Sequence, residues 1–189
     1  MDKRLPELEK EARRLLPEFG THGFEHTQRV YAMCQRLGKT EKANLKTLLP
    51  AALLHDITRE EENHADAAAK ACGLVLERFG YSKAEIDEVA EIISKHSFSG
   101  GKKPTTLEGK ILSDVDKLDA LGALGIYRAA LYSGEHGRPI EEFVDHFHSK
   151  LLMLKGLLFT KAARRTAEAR DEYMRAFLAE LDDELKGRA

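Results

Sequence analysis

The chain reads as all-α. Three observations predict this. Apolar residues recur at spacings of three and four along almost the whole length. Capping signals and glycine stops punctuate that pattern. No alternating strand pattern of useful length occurs. Leu5, Leu8, Ala12, Leu15 and Leu16 mark a first amphipathic helix ending near Gly20. A second is expected from about Gly23 to Leu37, with Val30, Met33, Cys34 and Leu37 inward and Gly38 as its stop. A third starts near Thr40 and runs into His55-Asp56, with a kink or a fresh start at Pro50. The fourth covers about Asn63 to Phe79 and stops at Gly80. Ser82-Lys83-Ala84-Glu85 has capping-box spacing and opens a fifth, which reaches His96. Ser97 to Pro104 is a loop, and Thr105-Thr106-Leu107-Glu108 caps a sixth helix carrying Asp114, Asp116 and Asp119. Helices follow at about Ala120–Tyr132, Ile140–Leu154 and Thr160–Leu185, with a polar loop over Ser133 to Pro139. On the last helix, Arg164, Arg165 and Arg170 read as a solvated face.

Composition excludes several classes of function. Hydrophobic residues make up 42% and charged residues 33% of the 189 positions, enough for a real core under an ionic surface. The formal charge of −2 leaves no global basic footprint for a nucleic-acid polymer, and Trp is absent. No apolar run reaches the roughly 18 residues a membrane span needs. Met1 to Glu18 is charged throughout and lacks the apolar stretch of a signal peptide. The expectation is a cytoplasmic protein that meets neither a nucleic-acid polymer nor a membrane. Cys34 and Cys72 are far apart and lie inside helical patterns, so they read as small buried residues rather than a metal or redox pair.

Chemistry concentrates around Ala51-Ala52-Leu53-Leu54-His55-Asp56-Ile57, where four apolar residues run into an imidazole and a carboxylate. Neither belongs in a dry interior without a partner, and a metal ion near the helix end would satisfy both. Two other clusters flank the pair. Upstream is Thr21-His22-Gly23-Phe24-Glu25-His26, where His22 reads as lying at the helix start and His26 as pointing inward. Downstream is Ser113-Asp114-Val115-Asp116-Lys117-Leu118-Asp119, where Val115 and Leu118 hem Asp116 toward the interior. His26, His55, Asp56 and Asp116 together supply two imidazoles and two carboxylates. Mixed nitrogen and oxygen donors suit Mn²⁺, Fe²⁺, Co²⁺, Ni²⁺ or Zn²⁺ better than Ca²⁺, with Mg²⁺ a further option. Four such ligands on an octahedral ion leave room for a water and a substrate oxygen, the arrangement hydrolysis of a phosphate ester needs.

These residues resemble the HD-domain superfamily of metal-dependent phosphohydrolases. The resemblance rests on His-Gly-Phe-Glu-His-Thr-Gln-Arg-Val at 22–30, Ala-Ala-Leu-Leu-His-Asp-Ile at 51–57 and Asp-Val-Asp-Lys-Leu-Asp-Ala-Leu-Gly-Ala at 114–123. His146-Phe147, Lys150-Leu151 and the run from Thr160 to Leu181 resemble the C-terminal part of a single-domain bacterial and archaeal subgroup. The resemblance implies one compact HD-domain helical bundle over 1–189, with a metal-site core at about 20–125 and C-terminal helices at 140–186 packed on it. It implies His26, His55, Asp56 and Asp116 as metal ligands, the aspartate chosen because it stands two residues before Leu118. Asp114 and Asp119 would then support or cap. The first motif often carries Asp where this chain has Gly23.

The implied activity is hydrolysis of a nucleotide or small phosphate ester by a metal-bound water. Cleavage of a nucleoside triphosphate to monophosphate and pyrophosphate is the specific expectation. Asp56, His96 and His64 are the catalytic candidates. Some HD proteins carry histidines at both of the last two positions and hold two metals, with the aspartate bridging; one ion is expected here. Substrate phosphates need cations. Arg128, Lys150 and Lys117 are the candidates taken, with Arg29, Arg59 and Lys95 beside them. The Ser97–Pro104 loop, with Lys102 and Lys103, would act as a mobile lid. Cyclic-nucleotide phosphodiesterase, a non-catalytic nucleotide sensor and a di-iron oxygenase stand as alternatives, and a homodimer is left open.

Overall fold

The computed structural model describes residues 2–59, 61, 63–97 and 101–188, and among them there is no β-strand. Helices run α1 Leu5–Leu15, α2 Phe24–Glu41, α3 Leu45–Leu54, α4 His64–Arg78, α5 Lys83–Ser94, α6 Leu107–Asp119, α7 Gly122–Glu135, α8 Ile140–Ser149 and α9 Lys161–Leu185. A 3₁₀ turn lies at Leu151–Leu157. None of these helices is long and apolar enough to cross a membrane. The residues divide into two compact units, Met1–Asp116 and Lys117–Ala189.

The first unit is organised on α3. Every residue from Thr47 to Leu54 is buried. A helix apolar on all sides must be covered on all sides, and α3 packs against α1, α2 and α5. Ala51 and Ala52, both fully buried, keep its neighbours close, while Leu48, Leu49, Leu53 and Leu54 fill the space between. Burying each such leucine is worth about 1.5–3 kcal/mol against leaving it in water. The helix begins at Leu45 rather than near Thr40, because the Asn44 side chain accepts the Lys46 amide at 3.1 Å and caps it. Pro50 neither restarts nor ends it.

Gly38 does not stop α2. The helix continues to Glu41 and ends at Lys42, which takes the left-handed conformation with φ 59°. The glycine serves packing: a Cβ there would lie 2.6 Å from Leu45 Cδ2 and 2.8 Å from Leu48 Cδ2. The capping box at Ser82 and Glu85 is formed in full. At α6 the cap falls one residue later than the spacing predicts: Thr106 Oγ1 accepts the Gly109 amide at 3.0 Å. Thr105 donates instead to Glu91, and Glu108 accepts the Asn44 amide. Cys34 and Cys72 are buried free thiols, and that of Cys72 donates to the Ala69 carbonyl at 3.1 Å.

In the second unit, α7 packs on α9, and α8 and the 3₁₀ turn complete the contacts. The expected helix to Leu154 breaks at Lys150 (φ −137°, ψ −63°), where the chain passes into the 3₁₀ turn. Arg170 is not a solvated residue. Its guanidinium donates to the Leu118 carbonyl, and its stem lies where a Cβ on Gly122 (φ +76°) would fall, at 2.9 Å. Arg164 caps the Leu158 carbonyl at 3.0 Å, and Arg165 is exposed.

Glu11 ties α1 to α4 by accepting from Arg14 at 2.9 Å and Arg78 at 2.9 Å. The Arg14 bond, reinforced by Arg78 against the effect of burial, holds its carboxyl at about 2. A carboxyl lowered on folding contributes stability above its unfolded value near 4.5, and that contribution is lost as pH falls toward 2. Urea midpoints measured from pH 6 to pH 3 should therefore fall more steeply for the wild type than for Glu11→Gln, which lacks the titrating group.

Candidate metal centre

The end of α3 delivers two polar side chains into the interior of the first unit. His55 is 0% exposed and Asp56 1%. His26, one turn into α2, is also 0% exposed and meets them from the side. Asp116 arrives on α6 with its side chain 26% exposed, the most open of the four. His26 Nε2 lies 3.2 Å from His55 Nε2, 3.5 Å from Asp116 Oδ1 and 3.8 Å from Asp56 Oδ2. His55 Nε2 is 3.7 Å from Asp56 Oδ2. Ligand atoms about 2.1 Å from one ion stand about 3.0 Å apart at right angles and farther apart at wider angles, so this clustering fits a single coordination sphere. His26, His55 and Asp116 form one group able to hold a metal, and His55, Asp56 and His96 form another.

The local backbone explains the arrangement. His55 donates Nδ1–H to the Ala52 carbonyl at 2.9 Å, which turns its Nε2 lone pair toward the cluster. His96, 1% exposed, donates from Nδ1 to the Ile93 carbonyl at 2.6 Å and aims Nε2 inward in the same way. The Ser113 hydroxyl pins the His96 carbonyl at 2.7 Å. Gly23 lies where the backbone crosses itself: a Cβ there would be 2.6 Å from the Phe19 carbonyl oxygen and 2.9 Å from that of Pro17. The Asp that the motif often carries at this position has no room here.

Protonation states match what a metal needs. Desolvation lowers the pKa of His55, and likewise of His96, His64 and His22, so these rings stay neutral. Burial alone would raise the Asp56 carboxyl, but His55, His22, His26 and His96 together hold it well below the usual range. Burial opposes ionisation of Asp116 too, and the His26 hydrogen bond outweighs it. Neutral imidazoles and ionised carboxylates are the metal-binding forms of both groups.

Three further residues complete the surroundings. His22 lies outside α2, yet its Nδ1 is 3.2 Å from Asp56 Oδ2, so it forms a third potential metal group with His26 and Asp56. Sequence reasoning placed it at the helix start and gave it no contact; its single signal was the four-residue spacing to His26. His64 opens α4 and is buried at 8%, with Nε2 4.0 Å from Asp56 Oδ1. Arg59 Nη1 lies 2.9 Å from His64 Nε2 and 3.5 Å from Asp56 Oδ1.

The phosphate candidates Lys117, Arg128 and Lys150 belong to the second unit. Arg128 donates to Asp119 at 2.9 Å with both side chains largely buried, Lys117 is buried with Nζ 5.7 Å from the Phe159 ring, and Lys150 is exposed. The lid expected over 97–104 falls partly on residues 98–100, outside the described residues. Lys102 is paired with Asp66 at 2.6 Å.

Residues 23–121 match the sequence model of the HD domain. This chain belongs to the HD-domain family. It is similar to YpgQ of Bacillus subtilis, 34% identical over 184 residues that span 92% of this chain and 89% of YpgQ. The crystal structure of YpgQ in complex with ADP superposes with a TM-score of 0.83 at 30% identity, covering 98% of this chain and 100% of that one. An HD-superfamily hydrolase from Bacillus thuringiensis superposes at 0.81 with 32% identity over 97% of both chains. A predicted HD-superfamily hydrolase from an uncultured Thermotogales bacterium gives 0.72 at 29% identity, over 95% of this chain and 92% of that one. Family and clustered ligands together make this protein a metal-dependent hydrolase of the HD class.

A bound ion stabilises the folded chain by mass action. Mn²⁺ at one hundred times its Kd adds about 2.7 kcal/mol, a rise of roughly 5–10 °C in melting temperature for a chain this long. Differential scanning fluorimetry should record that rise in the wild type and lose it in Asp56→Ala, whose far-UV circular dichroism stays unchanged.

Proposed function

We propose that the protein hydrolyses a nucleoside triphosphate to its monophosphate and pyrophosphate, with a divalent ion held by His26, His55, Asp56 and Asp116. The observation that carries this reading is the meeting of neutral imidazoles and ionised carboxylates on one spot, with Asp116 as the side chain open to solvent. The ADP complex of YpgQ, a relative over nearly the full chain, supports a nucleotide as the substrate class. The mixed donor set favours Mn²⁺, Co²⁺, Ni²⁺, Fe²⁺ or Zn²⁺ over Ca²⁺.

When bound, the ion supplies Lewis-acid polarisation of a phosphoryl oxygen and a water of lowered pKa. The residues do the rest. Asp116, at the open side, accepts a hydrogen bond from the attacking water and aims its lone pair at phosphorus. The water oxygen bonds to phosphorus as the bridging P–O bond breaks, and that electron pair leaves with pyrophosphate. The water proton has an acceptor nearby: His96 Nε2 is buried without a hydrogen-bond partner, 3.8 Å from Asp56 Oδ1. In this reading His96 is the proton acceptor, because its ring hydrogen is given to the Ile93 carbonyl, while the His64 lone pair is taken by the Arg59 guanidinium and His64 positions that cation.

The test is a product assay with Mn²⁺ and a panel of ribo- and deoxyribonucleotides, reading phosphate with and without added inorganic pyrophosphatase. Phosphate that appears only with pyrophosphatase, and not in Asp56→Ala, is the expected result. Phosphate released without it would mean a phosphatase and overturn the reaction proposed.

A further inference from the structure

Asp56 has two oxygens that face two different places. Oδ2 faces His22, His26 and His55. Oδ1 faces His96 at 3.8 Å, His64 at 4.0 Å and Arg59 at 3.5 Å. The second place resembles an ion site in its donors. Asp56 Oδ1 and His96 Nε2 are buried, and neither has a hydrogen-bond partner. His96 spends its ring hydrogen on Ile93, so its inner nitrogen is an acceptor. His64 Nε2 receives the Arg59 guanidinium at 2.9 Å, so it is an acceptor too. Three acceptors therefore face one another, and the Arg59 guanidinium lies against two of them, Asp56 Oδ1 and His64 Nε2.

We propose that Arg59 is the resident cation of this second position and keeps the centre to one divalent ion per chain. Charge decides the matter. The first position brings the carboxylates of Asp56 and Asp116 to one dication. The second would add two neutral imidazoles and share Asp56. A second dication roughly 3.5–4 Å from the first would then lack a new carboxylate and would displace or repel a fixed positive charge. A guanidinium, always protonated and with several N–H donors, gives a hydrogen bond to His64 and sets one positive charge 3.5 Å from Asp56 Oδ1. Thr58 holds the geometry from behind, its hydroxyl donating to the His64 carbonyl at 3.1 Å.

This rests on the metal centre proposed above, and the test separates the two. Metal content per chain is measured by mass spectrometry after equilibration with Mn²⁺ and desalting, with calorimetric titration of the same samples. The wild type should hold one ion, and so should Arg59→Lys, which keeps the charge. Arg59→Ala should hold two, and Arg59→Ala combined with His64→Ala should return to one. Asp116→Asn in the wild-type background should lose the first ion. One ion in Arg59→Ala, two in the wild type, or a second ion that survives the double substitution would each overturn the role of Arg59. A wild type without any ion would overturn the metal centre itself.

Discussion

A carboxylate carried into the dry end of an apolar helix is the constraint on which the first unit depends. Asp56 is 1% exposed, and an isolated ion at that depth would cost several kcal/mol. The fold answers by surrounding it. Three imidazoles face one oxygen, and two imidazoles and a guanidinium face the other. None of these groups is on α3 beyond its own last turn. Apart from His55 they come from α2 and the segment before it, from the connection between α3 and α4, from the start of α4 and from just past the end of α5. The packing of α2 and α5 on α3 is what brings His26 and His96 to Asp56.

That coupling explains features that look unrelated. Gly38 and the small Ala51 and Ala52 let helices approach α3 closely. Gly23 lets the chain before α2 cross its own backbone, which places His22 and His26 on either side of Asp56 Oδ2. Backbone carbonyls at Ala52 and Ile93 take the outer ring hydrogens of His55 and His96, so both rings present lone pairs inward. The centre is preorganised by ordinary helix packing and two hydrogen bonds to helix-end carbonyls.

Much of this was legible in the residues. Helical periodicity and the capping box at Ser82 located the elements, because both signals are local. The apolar run into His55-Asp56 marks a buried polar pair only together with the clusters around His26 and Asp116, since such a dipeptide alone is mostly an ordinary polar contact. What escaped were properties set by neighbours distant in sequence. Gly38 reads as a stop, yet it is an empty place for Leu45 and Leu48. Thr105 has Glu108 at capping-box spacing and Thr106 does not, yet the pairing of Thr105 with Glu91 and of Glu108 with the Asn44 amide leaves the cap to Thr106. Arg59 carries no periodic signal and His22 only its four-residue spacing to His26, since both lie in connections whose path depends on packing. Arg170 on a charged helix resembles any solvated arginine until the Leu118 carbonyl is seen beside it.

The central claim is that His26, His55, Asp56 Oδ2 and Asp116 enclose one ion. Anomalous diffraction at the manganese edge, from crystals grown or soaked with Mn²⁺, tests it most directly. The account predicts a single peak with all four side chains within about 2.0–2.3 Å, and Arg59 still beside Asp56 Oδ1. A peak that lacks Asp56 or His26 among its neighbours, or none at full Mn²⁺ occupancy in solution, would contradict it.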